Sequence, residues 1–250
     1  TLQITFLNKF KNMDFQTFLD TYDFPGSVVL LEGKREVSAE DKEKLIQLGQ
    51  SLATYTRYMR FRSGNAAGAD ELFCQKIIEE QAERVEMITP YSTHRKKIYA
   101  SDSITKYSID EVDFAADPGL IYGSKLGNKN DKLIDSYAAG TRNRNTIKAA
   151  YLIRDTAKVL GTSEFKKANF AIFYDDLKKP KSGGTGHTMK VCEENGLSYI
   201  NQTVWFEWLN TVPEIKLKGI HKRWQEDSLL GGERITLLPK TNVNSDQKSE

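Results

Sequence analysis

The sequence predicts an α/β fold of Rossmann-like type, an open and mostly parallel sheet of five or six strands with helices on both faces. Three observations support this prediction. Short apolar runs of strand length alternate along the chain with longer runs of helical periodicity. Glycine-rich segments follow several of the strand-like runs. Of the 250 residues, 39% are hydrophobic, which suffices for one large core.

Strand and helix signals alternate in the first part of the chain. The run 27–31 is small, β-branched and aliphatic, and it lies between Pro25-Gly26 and Gly33, as is typical of a buried strand. Ser38, followed by acidic residues, is a good N-cap for the next helix. Strand, helix, strand in this order implies parallel pairing through right-handed crossovers. The same reasoning predicts strands at about 58–62 and 85–90 and a helix at about 70–82.

The alternation resumes after an irregular segment. Residues 91–145 are interpreted as an insertion, helical at about 131–139, and a long helix is predicted from about Arg144 to Leu160 with Gly161 as its C-cap. Further strands are predicted at 170–174, 197–200 and 234–238, and further helices at 188–194 and about 205–209. We therefore expect a helical extension at 1–26, a Rossmann-like domain at 27–239 that carries the insertion at 91–145, and a polar tail at 240–250.

Composition excludes several broad classes of function. The net charge of +2 provides no global field toward DNA or a membrane, so a nucleic-acid site would need a local basic patch. Cys74 and Cys192 lie in apolar runs and are interpreted as small buried hydrophobes. No apolar run approaches the roughly 20 residues of a membrane span, and residues 1–19 carry no export signal. We expect a cytoplasmic protein with no membrane partner.

A glycine-rich loop follows the second predicted strand and leads into a helix. It reads Ser63-Gly64-Asn65-Ala66-Ala67-Gly68-Ala69-Asp70. Small residues let the backbone approach a ligand, and the free N–H groups at a helix start attract an anion. Small residues also permit a tight turn without a ligand, and Asp70 suits an ordinary first helical turn. This loop alone leaves both interpretations open.

A second loop of this kind follows the strand predicted at 170–174. It reads Ser182-Gly183-Gly184-Thr185-Gly186-His187-Thr188, and its hydroxyls add hydrogen-bond donors to a helix start. The alternative is a polar surface loop. Open α/β sheets bind ligands at the carboxyl ends of their strands, so two loops after two separate strands favour a phosphate or nucleotide site.

Charged residues near the loops are further candidates. Gly33 opens the turn after the first strand, and Arg35 carries a planar set of donors suited to a phosphate, with a solvated side chain as the alternative. His187 would donate a hydrogen bond to a phosphate or exchange a proton near neutral pH. The cluster His94-Arg95-Lys96-Lys97 is interpreted as solvated.

Several signatures of other classes are missing from the sequence. It has no P-loop lysine, no nucleophile elbow and no metal-ligand spacing, and G-x-G-x-x-G does not follow the first strand. This argues against an NAD(P) dehydrogenase. We expect no cofactor and no metal.

These motifs resemble those of the SMF/DprA–LOG superfamily, called SLOG. Its uncharacterised phage and plasmid members are Rossmann-like nucleotide-binding proteins with an RSGGAxGAD loop, an R-N-x-x-Q-V-L-G helix end, a GGTGxA loop and a strand reading like GIPVxNL. The similar segments of this chain occur in the same order between residues 27 and 205. They are Arg62–Asp70, Arg154–Gly161, Gly183–Thr188 and Gly196–Gln202.

The resemblance implies a ligand site built from both loops, with Gly33, Arg35 and Arg154 beside them. The implied loop residues are Arg62, Ser63, Gly64, Asn65, Gly68 and Asp70 on one side, and Ser182, Gly183, Gly184, Thr185, Gly186 and His187 on the other. Superfamily phosphoribohydrolases carry a P-G-G-x-G-T-x-x-E loop with a catalytic glutamate. Lys190 stands at that glutamate here, and Asp155 replaces the asparagine of the phage-type motif.

Three functions remain open. The main hypothesis is a protein that binds a nucleotide or nucleotide derivative in a phage, plasmid or defence context, and we also expect a homo-oligomer. The first alternative is a nucleotide N-glycosidase, whose carboxylate we would seek among Asp70, Glu71 and Asp175. The second is single-stranded DNA binding in the manner of DNA-processing protein A. Its candidate residues are Arg95, Lys96, Lys97, Arg142, Arg144 and Lys148, with Tyr91, Tyr99 and Tyr107 for base stacking.

Overall fold

A computed structural model describes residues 12–95, 101–126 and 129–215, with side chains up to residue 211. Contacts divide the chain into a compact unit of residues 1–213 and a second unit of residues 214–250. The strand predicted at 234–238 and the tail predicted at 240–250 lie outside the described residues.

The core of the first unit is one sheet of six strands. They are β1 (Val28–Gly33), β2 (Arg60–Ser63), β3 (Val85–Thr89), β4 (Thr105–Ser108), β5 (Phe170–Tyr174) and β6 (Tyr199–Asn201). The order across the sheet is β4-β3-β2-β1-β5-β6, and every neighbouring pair is parallel. Residues Val28 to Glu32 of β1 are all buried, as expected of a strand covered on both faces. The predicted fold class is confirmed.

Eight helices are described around this sheet. They are α1 (Phe15–Tyr22), α2 (Lys42–Tyr55), α3 (Ala69–Gln81), α4 (Pro118–Lys125), α5 (Asp131–Ala138), α6 (Ile147–Leu160), α7 (Gly183–Glu194) and α8 (Gln202–Ile215), with short 3₁₀ turns at Ala82–Arg84 and Ile109–Glu111. Helix α2 packs closely on α3, because a Cβ at Gly49 would lie 2.0 Å from the Phe73 carbonyl oxygen. The other face of the sheet packs through Leu30 and Phe173 on apolar residues of α6 and α7.

Helix α1 belongs to the segment predicted as an N-terminal extension. Its Phe18 ring centroid lies 5.3 Å from that of Phe170 and 5.0 Å from that of Trp208. The Trp208 indole N–H also donates a hydrogen bond of 2.7 Å to the Met13 carbonyl. The first helix is therefore part of the same core as β5 and α8.

Three predicted helix starts are wrong, each for a local reason. Helix α2 begins at Lys42 after Asp41 rather than after Ser38, because the Asp41 N–H donates to the Ser38 carbonyl at 3.1 Å and closes a separate turn there. Helix α6 begins at Ile147 rather than Arg144, because the Asn143 side chain accepts hydrogen bonds from the backbone N–H groups of Asn145 and Thr146 and holds a turn there. Helix α7 begins at Gly183 rather than Thr188. A Cβ at Gly186 would lie 2.0 Å from the Lys181 carbonyl, so the glycines let the chain turn directly into the helix.

Candidate functional site: a cleft where β1 and β5 adjoin

A cleft of about 710 Å³ lies at the carboxyl ends of β1 and β5. These two strands are neighbours in the sheet, and the strands that follow β1 and β5 in the chain lie on opposite sides of them. Open α/β sheets bind ligands at such a topological switch point. Three segments form most of the lining, the turn Gly33–Glu36 after β1, one face of α6, and the start of α7 at Ser182–Thr185.

The structure brings together part of the predicted site. The predicted residues that line the cleft are Gly33, Arg35, Asp70, Arg154, Ser182, Gly183, Gly184, Thr185 and His187. The predicted residues that do not line it are Arg62, Ser63, Gly64, Asn65, Gly68 and Gly186. The loop before α7 therefore contributes more of the predicted residues to the cleft than the loop before α3 does.

The start of α7 faces the cleft with exposed backbone. Ser182, Gly183 and Gly184 are exposed, and the first bond of this helix joins the Gly186 N–H to the Ser182 carbonyl at 3.0 Å. The N–H groups of Gly183, Gly184 and Thr185 precede that bond, so they have no carbonyl partner within the helix. Gly183 has φ of +63°, and a Cβ there would meet no atom within 4 Å. This turn can hold an anion with its backbone N–H groups.

The loop before α3 is closed by its own carboxylate. One Asp70 oxygen accepts a hydrogen bond from the Gly33 N–H at 3.1 Å, and the other accepts from Gly64 at 3.1 Å and Ala66 at 3.4 Å. Asp70 therefore ties the turn after β1 to the loop after β2. Because these N–H groups already bind a carboxylate, they are not available to a ligand phosphate in this conformation.

Arg62 lies inside the protein rather than in the cleft. Its side chain is fully buried, with Nε and Nη2 donating to Glu86 Oε2 at 3.0 and 2.8 Å and Nη1 donating to the Lys158 carbonyl at 3.0 Å. The guanidinium also lies 4.8 Å from the Phe165 ring centroid. These contacts tie β2 to β3 and to α6.

Buried charges form the floor of the cleft. Lys158 Nζ lies 2.8 Å from Glu32 Oε2 and 2.9 Å from Asp155 Oδ1. Arg154 donates to Asp155 Oδ1 at 2.6 and 3.0 Å and to the Gly64 carbonyl at 3.1 Å. Asp155 therefore contacts two positively charged side chains, Arg154 and Lys158. The cluster joins β1 to α6 and to the loop after β2.

Proton binding differs between the two carboxyls of this floor. Burial raises the pKa of Glu32 to about 8, against the opposing effect of Lys158. Burial also disfavours the charged form of Asp155, but Arg154 and Lys158 outweigh it and hold the pKa of Asp155 below its usual value. Thr188 donates a hydrogen bond of 2.9 Å to Glu32 Oε1, so α7 also contacts this carboxyl.

Four residues at or below the cleft are not among those predicted from the sequence: Glu32, Asp155, Lys158 and, on the cleft side of α6, Tyr151. A signal for the last of these was present. Lys148, Tyr151, Leu152 and Asp155 follow i, i+3, i+4, i+7 spacing and all line the cleft. Sequence alone could not show that this partly charged helical face turns toward a ligand site.

His187 contacts the neighbouring helix. Its Nε2 lies 3.2 Å from Thr156 Oγ1, and Thr156 Oγ1 also accepts a hydrogen bond of 3.0 Å from Ser124. Burial lowers the pKa of His187, with Asp155 acting in the opposite direction. The neutral imidazole therefore serves the α6–α7 contact at one side of the cleft.

The carboxylates suggested for glycosidase chemistry have structural partners. Asp175 accepts hydrogen bonds from the backbone N–H groups of Asp176 at 2.8 Å and Lys181 at 3.1 Å, which shapes the loop before α7. Glu71 lies 2.7 Å from Arg95 Nη2 and does not line the cleft. Asp70 is bound as described above. In the described part of the chain, no group of three or more His, Cys, Asp or Glu residues is placed to hold a metal ion.

The residues suggested for single-stranded DNA binding differ in their surroundings. Arg95 is paired with Glu71, and the Tyr107 ring centroid lies 4.5 Å from that of Phe165. Arg142, Arg144 and Lys148 are exposed near the start of α6. Lys96, Lys97 and Tyr99 lie outside the described residues.

The cleft at the switch point of a six-stranded parallel sheet defines an α/β protein of Rossmann-like class. Within the described ranges, no helix is long and apolar enough to cross a bilayer. No protein-family model matches the chain, and no curated protein matches it.

Two solved structures of DNA processing protein A are similar to part of this chain. The Helicobacter pylori protein, described with a single-stranded DNA binding mode, is 16% identical with a TM-score of 0.40, and the match covers 75% of this chain and 68% of that one. The Streptococcus pneumoniae protein is 14% identical with a TM-score of 0.41, and the match covers 84% of this chain and 62% of that one. These identities are too low to assign a shared activity.

Proposed function

We propose that this protein binds a nucleotide or nucleotide derivative, with the ligand phosphate at the start of α7. The observation that carries the proposal is the exposed turn Ser182–Gly184, which lines a switch-point cleft and begins a helix whose first N–H groups have no helical carbonyl partner. Arg35, Lys148 and Lys190 also line the cleft, and within the described residues they enter no ion pair. Their charges favour an anionic ligand.

Acidic residues in the lining repel this ligand less than the unpaired cations attract it, because several of the acids have partners within the protein. Asp155 is neutralised by Arg154 and Lys158, and Asp70 and Asp175 are bound by backbone N–H groups. A cavity of about 710 Å³ falls in the range that holds small organic ligands, and it exceeds what an inorganic phosphate needs. Charge and size together favour a nucleotide.

We propose that the protein binds the nucleotide and does not hydrolyse it. Lys190 stands where the similar phosphoribohydrolases carry their catalytic glutamate, and Asp70 and Asp175 are held by the backbone. Glu32 is paired with Lys158 and Thr188, and Asp155 is paired with Arg154 and Lys158. The other two cleft carboxyls lie at its exposed side, with Asp176 3.8 Å from Lys34 Nζ and Glu36 exposed on the turn after β1. The resemblance to phage and plasmid SLOG proteins motivates a phage, plasmid or defence context, and a homo-oligomer remains part of the proposal.

Substitution of Ser182 tests the phosphate site. Asp and Ser are about equally good N-caps, so S182D should preserve α7 while it places a negative charge beside the ligand phosphate. We expect S182D to weaken nucleotide binding at least about tenfold, which corresponds to about 1.4 kcal/mol. Thermal-shift titration with nucleoside mono- and diphosphates, cyclic nucleotides and ADP-ribose would measure it, since a ligand at 100 times its Kd stabilises by about 2.7 kcal/mol.

The matched control is S182N, which also caps a helix but adds no charge. Its Kd for the nucleotide should lie within about threefold of that of the unmodified protein, because an asparagine has no charge to repel the phosphate. Equal affinity of S182D and S182N would contradict a phosphate at the start of α7. A lack of any ligand-dependent shift across the panel would count against nucleotide binding altogether.

Single-stranded DNA binding is the second candidate. The observation that favours it is the exposed basic group Arg142, Arg144 and Lys148, of which Lys148 lines the cleft. A DNA backbone along these residues would bring a phosphate to the same cleft that we propose for a nucleotide. The structure of the H. pylori protein is described with a single-stranded DNA binding mode.

A further inference from the structure

An aromatic cluster of Tyr91, His94 and Tyr151 stands at one side of the cleft. The Tyr151 ring centroid lies 5.8 Å from that of His94 and 6.5 Å from that of Tyr91, with interplanar angles of 84° and 87°. Burial and a side-chain hydrogen bond with Tyr91 raise the pKa of Tyr151. These nearly perpendicular contacts orient the Tyr151 ring, which remains partly exposed and lines the cleft.

The chemistry of the α6 face changes along the helix. Lys148 comes first, Tyr151 and Leu152 follow, and Asp155 comes last, bound by Arg154. Asp155 lies beside the start of α7, because a Cβ at Gly184 would be 3.1 Å from its Oδ2. Tyr151 precedes Asp155 by four residues, which is a rise of about 6 Å along the helix axis.

A nucleotide consists of an anionic phosphate, a sugar and a flat base with apolar faces. A phosphate at the start of α7 would place the base about one sugar away, toward Tyr151. Tyr151 and His187 are the aromatic side chains among the described lining residues, and His187 Nε2 contacts Thr156. The Arg154 guanidinium lies over the Tyr151 ring, 5.2 Å from its centroid, so a base would stack on the other face of that ring. Leu152 adds an apolar surface beside it.

We infer that Tyr151 is the stacking surface for the base of the bound nucleotide. This inference rests on the proposed function and deepens it, because it assigns one end of the cleft to the phosphate and the other to the base. Stacking tolerates every base, because each has a π-face. The site therefore distinguishes a nucleotide from a sugar phosphate, and it does not select strongly among bases.

The test compares ligands with and without a base. Isothermal titration would measure the Kd of AMP, GMP, CMP and UMP and of ribose 5-phosphate for the full chain and for Y151L, Y151F and Y122L. Tyr122 is 75% exposed on α4 and does not line the cleft, so Y122L controls for the loss of a tyrosine. Melting temperatures without ligand would show that each variant is folded.

We expect Y151L to weaken all four nucleotides between about fivefold and about 150-fold, the range for loss of one stacking contact, and to leave ribose 5-phosphate unchanged. Y151F keeps the ring and should bind nucleotides nearly as the unmodified protein does, as should Y122L.

Three results would overturn the inference. If Y151L weakens ribose 5-phosphate as much as the nucleotides, Tyr151 positions Arg154 or α6 and does not contact the base. If the unmodified protein binds ribose 5-phosphate as tightly as AMP, the phosphate site stands and the base site is refuted. If it binds neither ribose 5-phosphate nor any nucleotide, the proposed function fails and the inference falls with it.

Discussion

Glu32 is a carboxyl at the end of an apolar strand, and its environment links folding to protons. Three neighbouring elements face it, with Lys158 and Asp155 on α6, Asp70 on α3 and Thr188 on α7. Its pKa of about 8 in the folded state compares with 4.5 for an ordinary glutamate. The folded protein therefore binds more protons at this group than the unfolded chain does between these two values, so the stabilising contribution of Glu32 falls as pH rises through this range.

E32Q removes this proton linkage and tests it. The free energy of unfolding of the unmodified protein, minus that of E32Q, should decrease as pH rises from about 4.5 to about 8, by at most about 1.4 kcal/mol per pH unit. Urea denaturation at several pH values measures both. The difference is informative because the lowered pKa values of His94 and His187 act in the opposite direction in both proteins.

V29A is the matched control from the same strand. It removes buried methyl groups from β1, so it should lower the unfolding free energy by the same amount at every pH. A pH-independent difference between the unmodified protein and E32Q would refute the proton linkage at Glu32.

Single residues of the site were predictable when their own type carried the signal. Gly183, Gly184 and Ser182 are small or hydroxylic residues at a helix start, and the structure places them in the lining of the cleft. Lys158 is different, because a helical lysine is ordinarily solvated, yet here it is fully buried. Its partner Glu32 is far away in the sequence, and packing of α6 on β1 brings the two together.

At the scale of elements, α2 and α3 approach so closely at Gly49 that no side chain fits between their backbones. An alanine usually stabilises a helix interior relative to glycine, by up to about 1 kcal/mol. At Gly49 the added Cβ would lie 2.0 Å from the Phe73 carbonyl oxygen, which is backbone and cannot rotate away. We expect G49A to destabilise the protein by about 2 kcal/mol or more, as measured by chemical denaturation.

The opposite sign is expected for G119A on α4. Gly119 is exposed, and a Cβ there meets no atom within 4 Å, so only the helix preference remains. This substitution should be neutral or stabilise by about 0.5 kcal/mol. Similar effects of G49A and G119A would mean that the α2–α3 distance yields easily.

Elements with strong periodicity were predicted well, and short ones were not. Strand β4 has four residues, Thr105–Ser108, and its mixed polar composition gives no buried-strand pattern, so the sequence predicts only an insertion at this place. Its place is set by pairing with β3, in the register Glu86↔Thr105 to Thr89↔Ser108. Helix α6, by contrast, ends at Gly161 as predicted, where φ is +72°.

At the scale of the molecule, a charge near zero makes any DNA site a local property. If single-stranded DNA binds along α6, log Kd for an oligothymidine should depend on log salt with a slope of about 0.7 per phosphate contact. Replacement of both Arg144 and Lys148 by serine should then reduce that slope by about 1.4. Fluorescence anisotropy across a salt series would measure it.

The control replaces Lys166 and Lys167, which are exposed just before the amino end of β5, whereas the cleft lies at its carboxyl end. This pair should leave the slope unchanged. Binding that is absent at low salt, or a slope that the first pair does not alter, would remove single-stranded DNA from the candidate functions.

The overall architecture was predictable because alternating strands and helices imply a parallel sheet with few allowed topologies. No local sequence pattern predicts that β5 lies beside β1, because this adjacency depends on how the chain between β3 and β5 crosses the sheet. The segment boundaries at 26, 91, 145 and 240 and the expected homo-oligomer remain predictions.

The adjacency of β1 and β5 has a consequence during synthesis. Val29 pairs with Phe170, so the ribosome must add about 140 residues after β1 before its partner strand exists. At 5–20 residues per second this interval is on the order of ten seconds. Throughout it, the Val-Val-Leu-Leu run of β1 presents an unpaired apolar edge, the type of surface that joins strands of other chains. Nascent chains that stall before Phe170 would therefore depend on chaperones to stay dispersed.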